Sequence, residues 1–114
     1  MNYEIEVIVE ELLPAVRSIA ATKLSEDYGY KQREIAEKLD ITQPAVSQYL
    51  TNSRADGRIV EKLEEDPQTQ ILLEEIVDKA VNDEKYTSEM YQLINTIRDK
   101  GLIKENFQDT EKLL

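Results

Sequence analysis

Apolar residues recur along this chain at the three- and four-residue spacing of helix faces, interrupted by short clusters of turn residues. Two periods compete at the start. Tyr3, Ile5, Val7 and Val9 alternate with Glu4 and Glu6 as a strand would. Ile5, Val9, Leu12, Val16, Ile19, Ala20 and Leu24 instead form a helical stripe, and this register continues past Leu13, which favours helix over strand. Pro14 has no amide hydrogen for the Glu10 carbonyl and disfavours α geometry at Leu13. The segment therefore reads as a short helix to about Leu12 and a second one starting near Pro14, with Gly29 as its stop after Asp27-Tyr28.

Two short helices follow, Lys31 to Leu39 and Gln43 to Asn52, separated by Asp40-Ile41-Thr42. A third runs from about Asp56 to Glu65, with Ile59, Val60 and Leu63 on one face. Asp66-Pro67 restarts the chain as an N-cap followed by proline at the first helical position. The helix it opens carries the wide apolar stripe Leu72, Leu73, Ile76, Val77, Ala80 and Val81. Thr87 or Ser88 caps a last helix bearing Met90, Leu93, Ile94 and Ile97. Gly101 ends it, Leu102-Ile103 can fold back onto it, and the tail beyond Phe107 reads as frayed. The class is all-α. The chain divides into residues 1–66 and a C-terminal helical segment, 67–114.

Composition removes whole classes of function. The 114 residues contain neither Cys nor His. Disulfides, thiolate nucleophiles, Fe–S clusters and thiolate zinc sites are therefore excluded, and so are the usual general base and the commonest transition-metal ligand. The three glycines, Gly29, Gly57 and Gly101, are too scattered for a phosphate-cradling loop. No Asp-x-Asp-x-Asp-Gly calcium loop occurs, since Asp56-Gly57 runs into Arg58 and Ile59. We assign no catalytic residue, metal ligand or cofactor, and do not expect an enzyme. No apolar run approaches a membrane span, and the acidic N-terminus lacks the layout of a secretion signal, so a cytoplasmic address is expected.

The net charge of −10 argues at first against nucleic acid. Its distribution alters that picture: −4 over residues 1–29, +1 over 30–58 and −7 over 59–114. An acidic body repels phosphates except where the middle segment faces them, and so suppresses non-specific binding.

That middle segment holds the informative run, YKQREIAEKLDITQPAVSQYL, from Tyr30 to Leu50. Ile35 and Leu39 place one face of its first helix on a core, and Val46, Tyr49 and Leu50 do the same for the second. Ala36 is small where two steeply crossing helices approach. Asp40 occupies a turn position suited to a left-handed backbone. Thr42 can cap the second helix, and Pro44 suits its first turn. Tyr49 reads as core rather than as a stacking platform for bases. This pattern is a helix-turn-helix, spanning 31–51, which projects the outer face of its second helix into a DNA major groove.

The run QREIAEKLDITQPAVSQYL resembles the Cro/phage-repressor (Xre-type) helix-turn-helix regulators, with Asp40 where the family usually has glycine. LLPAVRSIA before the motif and IRDKGLI after it are similar to a family of small archaeal predicted transcriptional regulators. Members of that family carry Cys and His in the last segment, and this chain has neither. The resemblance implies an all-α, lambda-repressor-like bundle with additional C-terminal helices, and a regulator of double-stranded DNA, with repression favoured. It places Gln43, Ser47 and Gln48 on base edges, where Gln can pair bidentately with adenine. Thr42 could bond a phosphate or a base, and Lys31, Gln32, Asn52, Ser53, Arg54 and Arg58 become backbone anchors.

A module with so few bases binds weakly alone, so a homodimer on two half-sites is expected, joined through the C-terminal helices and the N-terminal segment. Packing within one chain is the competing use of the C-terminal stripes. A competing function also stands: a protein-docking or antitoxin-like module that uses the motif as scaffold and its acidic faces as contact surface.

Overall fold

The structure, a computed structural model, describes residues 3–51 and 53–103. Helices α1 (Tyr3–Val7) and α2 (Leu13–Glu26) are joined by a π-helical turn over Ile8–Leu12, so the expected break at Pro14 is a widening instead. The Leu13 N–H bonds the Ile8 carbonyl five residues back. Pro14 then falls in the first turn of α2, a position that tolerates proline. One extra residue in a turn slips a helix face by roughly 100°. The predicted stripe is re-phased accordingly. Val7 and Leu12 are buried, whereas Ile5 and Val9 are 55% and 53% exposed, contrary to the single-stripe reading.

Gly29 ends the run as expected, at φ 68°, with its N–H on the Ser25 carbonyl and that of Tyr30 on the Leu24 carbonyl. Helix α3 (Gln32–Leu39) stops at Asp40, which adopts the left-handed conformation at φ 53°, ψ 49°. Helix α4 (Gln43–Leu50) is capped by Thr42, whose Oγ1 accepts the Ala45 N–H at 3.2 Å. Asp56 caps α5 (Gly57–Glu65) and Asp66 caps α6 (Pro67–Val81). Helix α7 (Thr87–Lys100) departs from expectation: Tyr86, not Thr87 or Ser88, precedes it, and no side chain caps it. Gly101 closes α7 at φ 65°, and Ile103 folds back to full burial. There is no strand among the described residues.

Two cores organise these helices. One gathers Val7 and Leu12 with Val16 and Ile19 of α2, Ile59 and Leu63 of α5, Leu72, Leu73 and Ile76 of α6, and Leu93 and Ile97 of α7. The other joins Ala20, Ala21 and Leu24 of α2 to Ile35, Ala36 and Leu39 of α3 and to Ala45, Val46 and Tyr49 of α4. Val77 and Ala80 of α6 complete it, so the C-terminal stripe serves the same core as the motif helices. At roughly 1.5–3 kcal/mol for each fully buried large aliphatic side chain, the second core fixes the α3–α4 pair firmly on α2. No helix among the described residues is long and apolar enough to cross a membrane.

Candidate nucleic-acid interface

The inner face of α4 is settled by Ala45, Val46 and Tyr49, at 6%, 0% and 2% exposure. The helical repeat then turns Gln43, Pro44, Ser47, Gln48 and Thr51 outward, with Ser47 half-buried and the other four exposed. Gln43, Ser47 and Gln48 thus share one surface, as the sequence reading required. Pro44 and Thr51 belong to that surface too. Their sequence spacing carried the signal, but one was read only as a helix starter and the other was given no role. No acidic residue lies between Ile41 and Ala55, so the face is neutral to basic within an otherwise acidic chain.

Three hydrogen bonds fix the α3–α4 pair on the scaffold. The buried Ser18 hydroxyl of α2 donates to the Tyr49 carbonyl at 3.0 Å. The Lys38 ammonium at the end of α3 donates to the Val81 carbonyl and to Asp83 Oδ1, both at 3.0 Å. The Asp83 hydrogen bond holds the Lys38 pKa above its ordinary value. These contacts tie the motif to α2 and to the α6–α7 turn.

Past α4, the backbone closes on itself. The Ser53 N–H and hydroxyl both donate to the Gln48 carbonyl, at 3.0 and 3.2 Å, and Thr51 Oγ1 donates to the Ser47 carbonyl at 3.0 Å. Arg54 turns back toward the helix. Its Nη1 donates to Gln48 Oε1 at 3.1 Å, and its guanidinium lies 5.4 Å from the Tyr49 ring centroid. Arg54 therefore stands beside a base-reading candidate and orients it, a relation that the irregular chain beyond Leu50 hid from the sequence. The Gln48 oxygen keeps a lone pair and its amide keeps both hydrogens, so bidentate pairing with adenine remains open.

The remaining candidates are dispersed. Lys31, Gln32 and Arg33 are exposed at the start of α3, where Glu34 Oε1 already accepts the Lys31 N–H at 3.1 Å. Arg33, given no role from sequence, stands in the same first turn as Gln32. Arg58 is 89% exposed and pairs with Asp56 at 3.5 Å. The Arg58 N–H on that carboxylate, with the guanidinium near it, holds the Asp56 pKa below its ordinary value. Asn52 lies outside the described residues.

A helix pair joined through a left-handed Asp40, its second member capped by Thr42 and presenting a short polar face, makes this an all-α protein with a helix-turn-helix. Residues 24–71, from the end of α2 into the first turns of α6, match the family model described as Helix-turn-helix, the Xre/lambda-repressor type. No curated protein and no solved structure matches the chain.

Proposed function

We propose that this protein is a sequence-specific regulator of transcription that binds double-stranded DNA as a homodimer and represses by occupying its operator. One observation carries the reading. The outward face of α4 is a stripe of Gln, Ser and Thr without an acid, in a chain of net charge −10, on a helix fixed by a buried core. Side chains of this kind suit base edges, and a solvated face with no task would share the glutamate-rich character of the rest. In this reading α4 enters the major groove. Gln43, Ser47 and Gln48 read bases, Thr42 bonds a base or phosphate, and Lys31, Gln32, Asn52, Ser53, Arg54 and Arg58 hold the backbone. In this reading the boundary near residue 66 divides tasks rather than cores: Val77 and Ala80 of α6 pack with the motif helices, while the outer faces of α6 and α7 serve the dimer.

Dimerisation follows from the small number of bases, because two half-sites about 34 Å apart supply the affinity one module lacks. Ile71 of α6 and Tyr91 of α7, 61% and 66% exposed, and Ile5 and Val9 near the N-terminus are exposed apolar side chains on the segments expected to form it. A strictly monomeric mass by light scattering at tens of micromolar would remove this element.

The acidic body favours one alternative, a protein-docking module on the same scaffold. Selection from a random duplex library at about 0.15 M salt separates the two. The wild type should enrich a two-fold symmetric motif that Ser47→Ala/Gln48→Ala loses. No enrichment by either protein would point to docking instead.

A further inference from the structure

A cleft of about 600 Å³ opens between α2, the Leu39-Asp40 turn, the α6–α7 connection and α7. Its size is that of small-molecule sites, commonly 300–1,000 Å³. Leu13, Val16, Ala20, Ile76, Met90 and Ile94 give it an apolar floor. Charged groups stand at its wall, and some of them are already satisfied. Lys38 pairs with Asp83 at 3.0 Å, and Glu84 with Lys79 at 4.0 Å. Arg17, Lys85 and Asp40 are left, which gives the uncommitted lining a positive balance.

Arg17 is the informative member. It is half-buried, yet its guanidinium makes no hydrogen bond or ion pair with any described residue. A guanidinium taken partly out of water gains most from a bidentate carboxylate. Tyr86, half-buried in the same wall, offers a hydroxyl.

We propose that this cleft is a binding site for a small amphiphilic monocarboxylate, its apolar body on the α2–α6–α7 floor and its carboxylate on Arg17 and the Tyr86 hydroxyl. The ligand class follows from an apolar floor beside a single unpaired planar cation, an arrangement that favours a carboxylic acid over a neutral lipid or a polyanion. The cleft lies apart from the outward face of α4, so this reading does not depend on DNA binding. It does touch the turn between α3 and α4, through Leu39 and Asp40.

The chain carries two methionines, Met1 and Met90, so methyl-¹³C-methionine labelling yields an uncrowded spectrum with Met90 as a reporter in the cleft wall. Titration of the full-length protein with decanoate, below its micelle threshold, should shift the Met90 methyl saturably. Decan-1-ol, equal in length but neutral, should bind at least about tenfold more weakly. Arg17→Gln should lose about the same factor for decanoate, and Arg17→Lys should regain part of it. An unmoved Met90, a shift without saturation, or equal affinity for decanoate and decanol overturns the proposal. The last comparison needs only the wild type, so it decides the matter even if a variant does not fold.

Discussion

Asp66 joins three helices, and Asp66→Ala tests whether that junction bears the stability its geometry implies. The carboxylate accepts the Thr69 N–H at 2.9 Å and the Thr69 hydroxyl at 2.8 Å, capping α6. The Lys100 ammonium reaches both of its oxygens from the end of α7, at 3.1 and 3.2 Å. Losing an N-cap costs about 1 kcal/mol. The Thr69 side chain, 0% exposed, is then left with a hydroxyl lacking its acceptor, for another 1–3 kcal/mol or so. The Lys100 pair, part-exposed, adds little. The expected loss is about 2–4 kcal/mol, a large share of the roughly 6–17 kcal/mol that a chain this long holds. At roughly 4 °C per kcal/mol, Tm should fall by about 8–16 °C at pH 7.

The pH dependence of that gap has a definite sign. Thr69, through its N–H and then its hydroxyl, and after it Lys100, holds the Asp66 pKa below its ordinary value. A carboxyl lowered in the folded state stabilises fully above about pH 4, and the contribution is lost as pH falls through the lowered value. Calorimetry of wild type and variant between pH 7 and pH 3 should therefore show the gap narrowing only below about pH 4. Asp66→Asn, which keeps an acceptor for Thr69, should fall less than the alanine variant. A gap under about 3 °C at pH 7, or one that stays constant to pH 3, would refute this account of the junction.

Three further outcomes follow from the same geometry. On the selected operator, Gln48→Ala should cost about 1–3 kcal/mol and relax specificity, and a double-mutant cycle with Arg54→Ala should show coupling of about 0.5–1 kcal/mol. Strictly additive losses, with Arg54→Ala weakening all sequences alike, would return Arg54 to a simple phosphate contact. Ser18→Ala should lower Tm by roughly 4–8 °C by removing the buried donor to the Tyr49 carbonyl, and an unchanged Tm would show that this bond does not hold α4. Asp40→Gly should raise Tm by up to about 4 °C, since glycine takes the left-handed conformation without strain; a drop would place the role of Asp40 in its side chain.

What the sequence made legible is what neighbouring residues decide among themselves. The cap at Thr42, the Asp66-Pro67 restart, the stops at Gly29 and Gly101 and the turn at Asp40 each need only a few residues of context. The outward face of α4 was legible for the same reason, since burial of Ala45, Val46 and Tyr49 leaves Gln43, Ser47 and Gln48 no other side to occupy. The misses lie where distant partners decide. Pro14 reads as a break because only the packing of α1 and α2 on α5 and α7 keeps the run continuous through a π turn. Thr87 and Ser88 read as caps, but Tyr86, half-buried against both cores, sets where α7 begins. Arg54 lies on irregular chain, so no periodicity could bring it to Gln48.

The π turn at Ile8–Leu12 also acts as a phase adjuster whose setting depends on the number of residues it contains more than on their identity. Tightening it to ordinary α pitch with every residue kept would rotate residues 3–7 by about a quarter-turn and carry Val7 off the core, back to the single-stripe phase. Removing one residue at the same time would cancel that rotation, because Ile8 would then lie four residues before Leu13 at α pitch instead of five. A single-codon deletion there would thus leave unchanged which side of residues 3–7 faces the core, while the helix-turn-helix, anchored on the far half of α2, kept its shape.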